Sequence, residues 1–250
     1  MAPGIGQEFL ERTKYPYCPE SAQSKGLPQP PLELLPQEGV QTIILPEAAS
    51  LEFPPANLRE TIEKRTSVRS YDPAGIDVKM LSYLLWLTQG VKKISRRPAT
   101  ARTVPSAGAR HAFETRLLVN KVEGLLPGLY HYSALQHQLI RLPAPDDIAQ
   151  RVTQACLGQQ QVLNSAVTFM WVAVVERMTW RYPERGYRYL FLDAGHVCQN
   201  LYLAAESIGC GVCAIAAYDD DQINQVLNLD GVSKFVIYLA SLGRKPAKTD

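Results

Sequence analysis

The longest helical signal, Tyr187 to Ile208, constrains this chain more than any other stretch. Leu190, Ala194, Val197, Leu201, Ala204 and Ala205 recur at helical spacing, and Gly209 follows as a stop. A helix apolar over much of its circumference needs cover on more than one side, so it belongs in a core or against a second chain. Upstream, Ser165 to Val175 is apolar and rich in β-branched residues, which predicts a central strand. Thr115–Val119, Leu129–Tyr132 and Gln138–Arg141, with a Gly-Leu-Leu-Pro-Gly turn after the first, read as an antiparallel meander. Lys234 to Leu242 is the last strand. The fold class these segments predict is α+β, a mostly antiparallel sheet flanked by helices.

Shorter helices are expected where caps precede apolar spacing. Asn57 with Glu60 opens one, and Leu58 and Ile62 share a face of it. Asp77 opens a second, with Met80, Leu81, Leu84, Leu85 and Leu87 as its stripe and Gly90 as its end. Asp146 and Asp147 open a third that runs to about Leu157, and a short fourth spans Asp220 to Leu227. Residues 1–56 are different. Pro16, Pro19, Pro28, Pro30, Pro31, Pro36, Pro46, Pro54 and Pro55 prevent long helices and central strands. Apolar islands such as Thr42-Ile43-Ile44-Leu45 predict an arm lying on the body or on a neighbouring subunit, with residues 57–250 as the functional domain. Lys92 to Arg102 reads as a polar, basic loop.

The charge balance argues against a polymer partner. Lys and Arg number 26 against 24 Asp and Glu, a formal +2, so the general basic footprint of a nucleic-acid binder is missing. No apolar run approaches the ~20 residues that span a bilayer, and the first residues lack a signal-peptide layout. A cytoplasmic, membrane-free protein is expected. Five cysteines, an odd number, argue against a disulfide framework. Cys210-Gly211-Val212-Cys213 follows a helix instead of opening one, so two buried residues in a strand are expected there, not a redox pair.

None of His111, His131, His137 and His196 has metal-ligand spacing, and no metal site is expected. His196 reads as a packed or interface residue. The glycine fingerprints of dinucleotide and P-loop folds are absent, as is a G-x-S-x-G elbow.

One local cluster does suggest a ligand. In Glu63-Lys64-Arg65-Thr66-Ser67-Val68-Arg69-Ser70-Tyr71, the residues Arg65, Ser67 and Arg69 alternate, so an extended backbone points them to one side. Two guanidinium forks with a hydroxyl between them suit a phosphate. Pro105-Ser106-Ala107-Gly108-Ala109-Arg110 is a small-residue segment that would let a flat ligand approach the backbone.

Taken in order, Glu11–Tyr15, Arg65–Arg69, Pro105–Arg110, Asp193–Leu201 and Leu242–Lys245 resemble the FMN-dependent nitroreductase superfamily, and within it the SagB-type dehydrogenase branch. The resemblance covers nearly the whole chain. It implies a homodimer with two FMN sites at the subunit interface. Arg65, Thr66, Ser67, Arg69 and Arg244 would belong to the phosphate side. Pro105, Ser106 and Ala107 of the other subunit would line the ring. Ala216 and Ala217 match the segment whose backbone N–H groups face the flavin N5, and Gln161 stands where nitroreductases often place a Lys near the ring.

SagB-type enzymes resemble oxidases that convert thiazoline or oxazoline rings in peptides to azoles. Their usual Lys-Tyr pair is here Arg181-Tyr182. Arg cannot take a proton, which leaves Tyr182 as the candidate base. A phenol with an ordinary pKa of ~10 is a poor base, and a neighbouring guanidinium would improve it. The resemblance thus implies an FMN-dependent dehydrogenase acting on a ring in a peptide or small metabolite. An NAD(P)H-fed nitro- or quinone reductase and an inactive scaffold subunit are the competing expectations.

Overall fold

The computed structural model describes residues 4–34, 41–96 and 99–247. Pro36 and part of the stretch from Lys92 to Arg102 therefore lie outside the described residues. Helix α1 (Ile5–Arg12) and a 3-10 turn at Tyr15–Tyr17 begin the arm. Strand β1 (Thr42–Ile44) then adds the arm to the edge of the main sheet.

Hydrogen bonds into the body fasten the segment between them. Arg177 Nε donates to the Pro31 carbonyl at 2.7 Å, Leu34 N donates to Glu114 at 2.9 Å, and Ser133 and Ala134 donate to the Glu33 carboxylate at 2.6 and 2.5 Å. Arg177 also pairs with Glu114, and both are buried. Burial raises the Glu33 pKa above the usual carboxylate value. His131 lies 3.5 Å from Glu114, but burial pulls its pKa down to about 4, so near neutral pH this approach is not an ion pair.

Helix α2 (Leu58–Lys64) is capped as the sequence predicts: the Asn57 side chain accepts from Glu60 N. Its Leu58 and Ile62 are exposed. After β2 (Ile76–Asp77), Asp77 caps α3 (Val78–Gln89), whose Met80, Leu81, Leu84 and Leu85 are buried as expected while Leu87 is only half-buried. The basic stretch that follows is not a loop. It contains β3 (Val91–Ile94) and β4 (Thr100–Arg102), paired antiparallel as a ribbon. Lys92, Lys93 and Ile94 are all exposed, so β3 shows no alternation, while Arg102 is buried.

Strands β5 (Phe113–Val119), β7 (Gly128–Ser133) and β8 (Gln138–Arg141) form the expected meander, and β6 (Val122–Glu123) makes a small parallel pair with β2. Helices α4 (Ile148–Ala155) and α5 (Gln160–Asn164) lead into β9 (Val167–Val174), which is buried at every position. Burial on both faces is why its sequence reads as a continuous apolar run. The short α6 (Val175–Thr179), which no sequence pattern announces, precedes α7 (Gly186–Ser207).

Strand β10 (Cys210–Ile215), helix α8 (Asp220–Val226) and β11 (Lys234–Arg244) complete the chain. The main sheet has seven strands in the order β1-β8-β7-β5-β9-β11-β10, antiparallel throughout. One core packs α3 and α7 against one face, and a second packs α4 and α8 against the other. The described cysteines are all free, and burial raises the Cys210 thiol to about 12, which suits packing and not redox exchange. No helix among the described residues is long and apolar enough to cross a membrane.

Candidate functional site

The basic stretch lies on a platform made by two glycines. Gly211 on β10 and Gly243 on β11 face each other in register. A Cβ on Gly211 would sit 2.5 Å from Val68, and one on Gly243 would sit 2.7 Å from the Tyr71 ring. The missing side chains let the segment settle on the sheet. Val68 N donates to the Val212 carbonyl at 2.9 Å, and Tyr71 reaches Ser241 at 2.8 Å. With Val68 packed inward, the alternation turns Ser67 and Arg69 to solvent and leaves Arg65 half-buried. Gly211→Ala is expected to push this segment off the sheet, costing about 1–3 kcal/mol by overpacking and weakening any ligand held by Arg65 and Arg69. A thermal melt with a flavin titration checks it, and an unchanged melting point would contradict the platform.

The cations there have no carboxylates of their own. Among the described residues no ion pair includes Arg65, Arg69 or Arg244, while nearby carboxylates are engaged elsewhere: Glu63 with Arg59, Glu60 with Lys64, and Glu206 with Lys245. Arg244 ends β11, and its Nε is held by the Gly75 carbonyl at 2.8 Å. Such a donor set has the chemistry of an anion site. Tyr202 of α7, which the sequence reading passed over, joins it: its hydroxyl lies 3.0 Å from Ser67 Oγ and its ring 5.1 Å from the Arg65 guanidinium. Thr66 is exposed beside them.

Further along β10 the strand ends at Ile215, and Ala216 and Ala217 are exposed. Gln159 donates to the Ala217 carbonyl at 2.7 Å and accepts from Gln161 at 2.8 Å, so Gln161 is tied to this segment through Gln159. From Val212, beside Ser67, to Ala217 is about 16 Å of extended chain. That length suits a ligand with a phosphate at one end and a ring at the other.

The small-residue segment sits elsewhere. Ser106 donates to Asp193 of α7 at 2.6 Å and accepts from His111 N at 2.9 Å, and Ala107 N donates to Asp193 at 3.2 Å. The Ser106 hydroxyl is therefore turned into its own chain. Burial raises the Asp193 pKa, against the lowering effect of these donors. Gly108 has φ +57°, and a Cβ there would lie 2.6 Å from the Tyr182 hydroxyl and 2.9 Å from Arg181 Cδ. The structure thus brings the Arg181–Tyr182 turn to the small-residue segment. Arg181 lies over the Tyr182 ring at 5.5 Å, and Tyr189 packs edge-on to it at 4.8 Å.

These two halves stand apart within one chain. Asp193 and Tyr202 are nine residues apart on α7, which places them about 14 Å apart along the axis and about half a turn around it. His196, between them, is exposed, with Nδ1 4.0 Å from Asp193. The same helix carries exposed Phe191 and Leu192, and a groove of about 390 Å³ beside it is lined by Leu58, Tyr83, Leu87, Asn200 and Leu203.

The pattern of the nitroreductase family matches residues 62–244. A provisional nitroreductase of Methanocaldococcus jannaschii is 31% identical over 75% of this chain and 91% of its own length. The trifolitoxin-processing protein TfxB of Rhizobium leguminosarum bv. trifolii is 28% identical over 64% of this chain and 45% of its own, so the chain spans about half the length of that relative. Among solved structures, a chain of the E. coli microcin synthetase McbBCD complex with truncated pro-MccB17 bound superposes with a TM-score of 0.60 at 21% identity, over 96% of this chain and 87% of that one. That last likeness is one of fold.

Proposed function

This chain belongs to the nitroreductase family, and from that premise we propose that it is an FMN-dependent dehydrogenase oxidising a thiazoline- or oxazoline-like ring in a peptide or related metabolite. The observation that carries the cofactor is the set Arg65, Ser67, Arg69 and Arg244, whose guanidinium groups have no carboxylate among the described residues. Backbone at Ala216 and Ala217, with Gln159 and Gln161 beside it, would take the ring end. When bound, FMN supplies the hydride acceptor.

The protein's own task is to hold the substrate and move a proton. An arginine side chain cannot accept a proton, so Tyr182 is the group that would take the ring proton, with Arg181 stacked over its ring. Half a turn of α7 separates this corner from the phosphate cluster, which supports a site with walls from two copies. In that dimer Tyr182 comes with Pro105–Ala107 of its own chain and meets the phosphate cluster of the other. Exposed Leu58, Ile62, Phe191 and Leu192 offer apolar surface for such a contact. The peptide substrate class rests on TfxB, named for processing trifolitoxin, and on the residues shared with the SagB branch.

The relative named as a nitroreductase favours a second reading, a reductase fed by NAD(P)H. Anaerobic mixing separates the two. A peptide bearing one thiazoline is expected to bleach the flavin absorbance, and NADPH to bleach it slowly or not at all. Rapid bleaching by NADPH with no response to the azoline peptide would assign the chain to the reductases.

A further inference from the structure

Tyr202 links three parts of the phosphate side. Its hydroxyl lies 2.9 Å from Ala214 N and 3.0 Å from Ser67 Oγ, and the Arg65 guanidinium sits 5.1 Å from its ring centroid. The direction of these bonds follows from what each group can do. The Ala214 N–H can only donate, so the Tyr202 oxygen accepts there. A phenol is the better donor and an alkyl hydroxyl the better acceptor, so the phenolic proton goes to Ser67 Oγ. The Ser67 hydroxyl, exposed between two arginines, is then left with its own proton directed outward. Each bond in such a chain polarises the next.

We propose that Tyr202 is a positioning residue of the phosphate site. It aims the Ser67 proton at the anion and holds the Arg65 guanidinium by its ring face. The inference rests on the reading that this cluster takes the FMN phosphate. It adds a residue from α7 to a set otherwise drawn from one extended segment and a strand end. It also accounts for a large aromatic side chain at a helix position that is only half-buried.

The test uses the full chain freed of flavin and titrated with FMN and with riboflavin, followed by flavin fluorescence. Tyr202→Phe keeps the ring under Arg65 and removes the relay. It is expected to weaken FMN about tenfold and leave riboflavin unchanged. Ser67→Ala should do the same, and the double variant should lose no more than either single one, because both break one chain. Equal losses for FMN and riboflavin would mean a merely structural role and overturn the proposal. No loss of FMN affinity in Tyr202→Phe, where Arg69→Ala does lose it, would overturn the relay alone. No loss in Arg69→Ala either would overturn the phosphate reading beneath it. Should Tyr202→Phe fold poorly, amide exchange at Ala214 of the unaltered protein gives the same answer. FMN is expected to slow it more than riboflavin does, and equal protection by the two would contradict the relay.

Discussion

Arg69→Ala is expected to weaken FMN binding about 100-fold and to leave riboflavin binding where it was. A charge-assisted hydrogen bond contributes roughly 1.5–3 kcal/mol, and a guanidinium fork presents two of them to a phosphate. Arg69 is exposed, so solvent screens part of that gain, and about 100-fold corresponds to roughly 2.7 kcal/mol. The fold should survive, because no ion pair among the described residues uses Arg69 and truncation of a surface side chain seldom costs more than ~0.5 kcal/mol. Flavin fluorescence on the two ligands, with a thermal melt of the apoprotein, checks both halves. Equal weakening of FMN and riboflavin would move the phosphate elsewhere.

Tyr182→Phe is expected to slow flavin reduction by an azoline peptide on the order of 100-fold, a typical contribution of a general base. FMN content and oligomeric state should be unchanged. The ring remains to pack against Tyr189 and under Arg181, so the variant removes only the hydroxyl that reaches Gly108. Arg181→Lys should be tolerated or faster, since a lysine can be tuned into a base and an arginine cannot. Anaerobic stopped-flow reads both variants. Unchanged flavin reduction in Tyr182→Phe removes this residue from the mechanism.

Much of the sheet was legible because its signals are local. The all-buried run of β9 and the side-chain caps Asn57 and Asp77 need no knowledge of distant partners. The alternation of Arg65, Ser67 and Arg69 was legible for the same reason, once an extended backbone is assumed. What escaped depends on register or on contacts far apart in the chain. Nothing in the sequence sets Gly211 opposite Gly243 until β10 and β11 are paired.

Glu33 reads as one more polar residue in a proline-rich arm, yet it meets Ser133 a hundred positions on. Tyr202 sits on α7 among apolar residues, and only the fold carries Ser67 and Ala214 to its hydroxyl. The pair β3 and β4 reads as a solvated loop in sequence because exposed lysines on short strands resemble one. The turn at Arg181–Tyr182 was legible as a motif, but its approach to Gly108 was not.

The most direct test of the account is the flavin of the purified protein, identified after release and counted per chain, with the particle mass measured alongside. FMN at about one per chain, in a particle of two chains, is the predicted result. A colourless protein that takes up no FMN at micromolar concentration, or a 27.8 kDa monomer that holds FMN by itself, would contradict it.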